Sequence, residues 1–209
     1  MKNRIRGGFL AAEAVLYLSF LAFDLLSVHT QWSVWIKFIS ISLAAAAGLA
    51  VRERYVTPAL VLTACADVFL LLLGRDYLVG IGLFLLVQAL YTLRLVWPDG
   101  NVRAALAVRA VPAAAAALLC ARSGAVECAA AAYIVWFAIN LLHAIRKAHV
   151  TRERKPIRFA VGMALFFCCD LCVGLHNLPQ NALSGFAAIA MWAFYLPGQI
   201  LILSSAENF

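Results

Sequence analysis

Eight predominantly apolar stretches, at 9–28, 32–51, 55–73, 77–96, 103–120, 124–146, 158–176 and 185–204, fill nearly the whole chain. They are separated only by short segments of charge, glycine or proline. About twenty apolar residues is the length at which an α-helix crosses the hydrocarbon core of a bilayer. Of 209 residues, 65% are hydrophobic and 13% are charged. A soluble domain runs at about 45–50% apolar and about 25% charged, so a single globular core cannot absorb this composition. A soluble enzyme, a disordered tail and a DNA-binding domain are thereby excluded. The period-2 alternation of a membrane β-barrel is absent, and the runs are long enough for helices. The expected architecture is an all-α membrane protein, one transmembrane helical domain over 1–209.

The formal net charge of +7 would suggest a nucleic-acid partner if it were spread over a surface. It is not. Lys2, Arg4, Arg6, Arg52, Arg54, Arg94, Arg103, Arg146, Lys147, Arg152, Arg154, Lys155 and Arg158 all fall on one side of an eight-span topology. Only Arg75 and Arg122 fall on the other side, while Lys37 and Arg109 lie inside spans. Basic loops stay cytoplasmic, so both termini are expected there, in a multi-pass protein of the cell membrane with lipid as its partner and no nucleic acid. Glu13 and Asp24 within the first run, and no A-x-A site after it, argue against a cleaved signal peptide. No linker or low-complexity run occurs, and the polar stretch 146–158 reads as a basic loop touching anionic head groups.

Cys65, Cys120, Cys128, Cys168, Cys169 and Cys172 lie in or at the ends of apolar runs. They read as small buried apolar residues rather than a disulfide framework, although Cys169 and Cys172 form a C-x-x-C. The histidines do not cluster. His29 and His176 fall at outer loop ends and His143 and His149 on the cytoplasmic side, so no metal or other cofactor is expected.

Ionisable groups are costly in a bilayer, so each one needs a reason. Glu13, Arg109 and Glu127 lie within about two turns of a span end and are expected to snorkel. Asp24 and Lys37, near the outer ends of adjacent helices, are expected to pair with each other. Asp67 and Asp170 have no such explanation. Each is six residues from the outer end of its run, about 9 Å at 1.5 Å per residue, which is far for so short a side chain. On helices running the same way, the two carboxyls can face each other across one cavity.

The flanking sequences match loosely. Cys65-Ala66-Asp67 parallels Cys168-Cys169-Asp170, and a tyrosine follows 24 and 25 residues later, at Tyr91 and Tyr195. This pattern suggests a 4+4 parallel repeat. Gly80, Phe84, Gln88 and Tyr91 lie on one face of the fourth helix, and Trp192, Tyr195 and Gln199 on one face of the eighth. Such stripes serve either as hydrogen-bonded helix interfaces or as walls of a polar pocket.

These motifs resemble the YhhN-type lysoplasmalogenases. The family's G-D-x-x-L is similar to Ala66-Asp67-Val68-Phe69-Leu70, and its G-x-x-x-F-x-x-x-H-x-x-Y to Gly80, Phe84, Gln88 and Tyr91. Its G-x-x-x-F-x-x-S-D resembles Gly162, Phe166, Cys169 and Asp170, and the Tyr and Gln of its last helix resemble Tyr195 and Gln199. Lys37 stands where the family has Lys-Pro, with Phe38 in place of the proline. The chain also departs at Ala66 for Gly, Gln88 for His and Cys169 for Ser, so a proton-transfer role of that histidine does not carry over.

The resemblance implies hydrolysis of the vinyl ether bond of a lysophospholipid substrate, releasing a fatty aldehyde and a glycerophospho-head group. That chemistry needs an acid to protonate carbon and a carboxylate to stabilise the resulting cation and activate water. A second negative charge beside a first is expensive in a bilayer, so a carboxyl pair readily retains one proton. Asp67 and Asp170 are the catalytic candidates, and Lys37, Gln88, Tyr91, Tyr195 and Gln199 the substrate-binding ones. The alternative is a non-enzymatic lipid or small-molecule transporter or binding protein, in which the aspartates hold a proton or a cationic head group.

Overall fold

A computed structural model of the chain describes residues 3–26, 31–97, 100–178, 182–206 and 209. The helices are α1 (Asn3–Leu25), α2 (Gln31–Val51), α3 (Val56–Asp67), α4 (Tyr77–Val96), α5 (Val102–Leu119), α6 (Ala125–Thr151), α7 (Arg154–His176) and α8 (Ser184–Ser204). Between α3 and α4, Val68–Leu73 continues the third span as a wider π turn. All eight spans are long and apolar enough to cross a membrane, and there is no strand among the described residues. This is an all-α, multi-pass architecture. His29, Lys2 and the end of the first expected span lie outside the described residues.

Three helices run well past their apolar runs, α1 and α7 at their starts and α6 at its end. The stretch 146–158, expected as a loop, is almost entirely helical, because α6 continues to Thr151 and α7 begins at Arg154. Arg152 closes α6 with a left-handed backbone (φ 55°), its N–H bonded to the carbonyl of Ala148. Pro156 does not break α7, since it occupies the first turn, where no intrahelical N–H is needed. Charged residues continue a helix into the head-group region at little cost, so hydropathy marks the bilayer boundary and not the helix end.

Around the bundle, α1 packs on α2, α2 on α3, α3 on α4, α4 on α6, α6 on α7 and α7 on α8, while α8 returns to α1, α2 and α3. Helix α5 lies outside this ring against α6 and α4. Side chains such as Val111, Leu118 and Leu119 point outward from α5 and stay exposed. An apolar rim of this extent suits lipid.

The closest pair is α7 with α8, and glycine permits it. A methyl group added at Gly162 would meet the Gly198 carbonyl oxygen at 2.8 Å, and one at Gly198 would meet the Phe166 nitrogen at 3.0 Å. Small residues that let backbones touch are the usual means of association where lipid supplies no hydrophobic drive. Pro197 in α8 removes one backbone donor and frees the carbonyl of Ala193, four residues earlier. The Tyr17 hydroxyl of α1 donates to that carbonyl at 3.1 Å. A gap in one helix ladder thereby becomes a bond to another helix, as an interior without water requires.

One end of the bundle gathers polar contacts. Arg94 near the end of α4 donates to Ser205 just past α8 (2.8 Å) and sits 3.6 Å from Glu53 just before α3. Lys147 of α6 donates to the carbonyl of Leu95, and Arg158 of α7 to that of Ser204. This basic end therefore holds the starts of α3 and α7 and the ends of α4, α6 and α8.

Candidate active site

Asp67 closes the regular part of α3, and the π turn follows it at once. In that turn the N–H of Gly74 reaches back five residues to the carbonyl of Phe69, and Gly74 takes the left-handed conformation (φ 57°) that ends it. Such wide turns carry one residue more per turn than the helix and recur at functional sites. Asp67 is buried, and its Oδ2 accepts from the Tyr195 hydroxyl of α8 at 2.5 Å. Asp170 lies six residues before the end of α7 and is half-buried. Its Oδ2 accepts from the Tyr133 hydroxyl of α6, also at 2.5 Å.

The two carboxyls are near enough for their charges to interact, and Cys169 is buried beside both. A short aromatic chain joins the two tyrosines. Phe84 stands 5.8 Å from Tyr133 and 5.6 Å from Phe166, which in turn is 5.8 Å from Tyr195. Packed rings of this kind hold each hydroxyl in one direction. The site draws its groups from α3, α4, α6, α7 and α8, on one apolar floor. A pair of carboxyls so placed can hold a proton and deliver it, while the partner receives one.

The other expected site residues fall into three places. Gln88 is fully buried next to the Tyr133 hydroxyl, and its Oε1 accepts from Nδ2 of Asn140 at 2.9 Å. Tyr91 and Gln199 lie one turn nearer the basic end, both fully buried, with Tyr91 edge-on to Phe159 (5.3 Å). Tyr91 does not reach Asp170 as Tyr195 reaches Asp67, so the tyrosines at matching spacings do not play matching roles.

Lys37 pairs with Asp24 at 2.8 Å, as expected, and with neither catalytic candidate. Its ammonium also lies 4.5 Å over Trp192, which meets Tyr195 edge-to-face (5.6 Å). Lys37 thus stands one ring away from the Asp67 half of the site.

Several expectations need correction. Glu13 does not snorkel. Because α1 begins at Asn3, Glu13 is about 15 Å into the helix, and it turns into the α1–α2 interface, where Ser40 donates to it at 2.5 Å. Arg109 also turns inward. Its Nε donates to Oδ1 of Asn140 (2.5 Å), one guanidinium nitrogen donates to the Ala105 carbonyl (2.8 Å), and the other meets Nδ1 of His143 at 2.9 Å. Glu127 is exposed near the start of α6, as a span-end residue should be. Of the six cysteines only Cys169 is buried, whereas Cys65 is exposed and the other four are intermediate, because the narrow core holds few of them.

Tyr133 and Asn140 were missed. The signal was present, since Tyr133, Phe137, Asn140 and Ala144 recur along one face of α6 and are all buried. This stripe lies on the helix before Asp170 and not on the one after it.

Comparison with known proteins finds a family for the chain. The family model described as YhhN family matches residues 9–206, nearly the whole chain. No curated protein and no solved structure matches.

Proposed function

The chain belongs to the YhhN family, which is known as lysoplasmalogenase, and from that premise we propose that it hydrolyses the vinyl ether bond of lysoplasmalogens. The observation that carries this reading is the Asp67–Asp170 pair, each carboxyl held by a tyrosine from a different helix. The protonated member delivers its proton to the vinyl carbon remote from oxygen, and the double-bond electrons form the new C–H bond. The carbon bonded to oxygen becomes an oxocarbenium ion, which a neighbouring carboxylate stabilises.

The ionised member takes a proton from water as the water oxygen bonds to that carbon. The hemiacetal then loses its hydroxyl proton, its bond to the glycerol oxygen breaks, and the glycerol oxygen is protonated. One water is consumed, and a fatty aldehyde and a glycerophospho-head group leave. The proton has changed carboxyls at that point, so the pair has to exchange it, and proximity of the two groups makes that short.

Tyr133 and Tyr195 orient the carboxyls rather than act as acids. Lys37 and Gln88 are the head-group contacts, Gln88 beside the Tyr133 hydroxyl and Lys37 one ring away from Tyr195. The alkenyl chain lies along apolar walls such as Phe84 and Phe166.

The test is to incubate purified protein in lipid with a lysoplasmalogen and, separately, with the saturated ether of the same head group, and to measure aldehyde. Release from the first alone, lost in Asp67→Asn and Asp170→Asn, is expected. No aldehyde from the wild type, or full activity in both variants, overturns the reading.

A further inference from the structure

One helical turn toward the basic end from the carboxyls, the core contains polar atoms that no side chain or backbone group answers. Thr63 is one turn before Asp67 on α3, and Gln199 one turn after Tyr195 on α8. Tyr91 lies on α4, three residues past Gln88. All three residues are 0% exposed. The Oγ1 of Thr63, the hydroxyl of Tyr91 and both polar atoms of Gln199 have no hydrogen-bond partner among the described residues.

Four unanswered polar atoms in one layer of a membrane protein are improbable as an accident of packing. An amide or hydroxyl buried without a bond gives up its hydration with nothing in return, and native interiors meet such groups with ordered water. By contrast, the equally buried Phe20, Phe137 and Met163 present no polar atom.

This layer also leads somewhere. Tyr91 stands edge-on to Phe159, and Phe159 lines a cavity of about 290 Å³ at the basic end. That cavity is lined further by Glu53, Arg94, Lys147, Glu153 and Lys155. Arg94 lies 4.2 Å over the Phe159 ring, so one ring touches both the cavity lining and Tyr91 of the layer. The cavity itself is too remote to seat the head group of a substrate reacting at Asp67. Asp67 is eleven residues from the start of α3, about 17 Å along the axis, and only a glycerol unit separates the phosphate of such a lipid from its ether oxygen.

We propose that Thr63, Tyr91 and Gln199 enclose a file of ordered water that joins the basic-end cavity to Asp67. Hydrolysis consumes water at a place lipid surrounds, and the substrate's own chain fills the apolar route. Water arrives through this file and meets Asp67 first, because Thr63 and Gln199 flank Asp67 and its partner Tyr195. Asp67 is then the carboxyl that takes a proton from water, and the more open Asp170 is the one that protonates the substrate. The hydration stands on the unanswered polar atoms alone, whereas the division of labour rests on the reading proposed above.

Radiolytic hydroxyl labelling tests the water file without any substrate, since buried side chains are modified only where water is bound next to them. In wild-type protein in lipid nanodiscs, Tyr91 is expected to be oxidised several-fold faster than Phe137 and Phe20. In Thr63→Val and in Gln199→Leu that excess falls, with the unfolding midpoint measured alongside. If Tyr91 in the wild type is labelled no faster than those phenylalanines, the file does not exist, whether or not the protein hydrolyses lysoplasmalogen.

Aldehyde release tests the role. Gln199→Leu is expected to lower kcat about tenfold with KM unchanged, as loss of water supply requires. A raised KM at unchanged kcat would make the layer a head-group site and overturn the assignment to water.

Discussion

Asp67 and Asp170 are the same residue, on helices that run the same way, each with one tyrosine hydroxyl at 2.5 Å. Their surroundings differ. Asp67 is enclosed, ends at a π turn, takes its tyrosine from the distant α8 and has the unanswered polar layer behind it. Asp170 sits in an unbroken helix, takes its tyrosine from the adjacent α6 and is half-buried. Equal carboxyls in unequal surroundings are how a pair divides acid from base work, the one with polar neighbours staying ionised. The tyrosines come from other helices, whereas Thr63 and the π turn belong to the span of Asp67 itself.

The largest effects should follow from removing a carboxyl. Asp67→Asn and Asp170→Asn are each expected to reduce aldehyde release by about 10²–10⁴-fold, the usual weight of a positioned acid or base. Activity retained in one of them would break the pairing outright. Next come the tyrosines. Tyr195→Phe and Tyr133→Phe each remove a hydrogen bond to a carboxyl, about 1.5–3 kcal/mol where that carboxyl is charged. Initial rates are expected to fall accordingly, and comparing the two sharpens which carboxyl is the more dependent.

A third substitution separates the halves mechanically. Gly162→Ala forces α8 away from α7 and is expected to cost about 1–3 kcal/mol of stability, read as a lower thermal midpoint. Because α8 carries Tyr195, activity should fall with it even where the fold survives.

The smallest effect concerns Lys37. Replacing both members of its pair, Lys37→Met with Asp24→Asn, avoids leaving one charge buried alone. It removes cation–π contacts to Trp192 and Phe20 worth about 0.5–2 kcal/mol. A modest rise in KM is expected, and a rise confined to kcat would place Lys37 on the Asp67 half as a positioning residue instead.

Much of this was legible in the residues, and the reasons are specific. The eight spans follow from hydropathy, because a bilayer imposes one length on every helix that crosses it. The Asp24–Lys37 pair could be read from two opposite charges at adjacent helix ends. Asp67 and Asp170 stood out because a carboxyl deep in a span needs a reason to be there. Glu13 and Arg109 escape the same logic, since distance from the end of an apolar run is not distance from water. Helix α1 begins six residues before its run, and both side chains turn to polar groups on a neighbouring helix.

What the sequence by itself determined is the class of the protein, the number of its crossings and the candidate carboxyls, all consequences of the cost of charge in an apolar medium. Only the tertiary structure decided that Tyr195 caps Asp67, that Tyr133 rather than Tyr91 caps Asp170, and that Thr63, Tyr91 and Gln199 share one unanswered layer. The reason is geometric. Hydropathy is a property of each segment alone, whereas the partner of a side chain depends on how far one helix slides and turns against another. Here contacts such as Gly162 on Gly198 fix that relation.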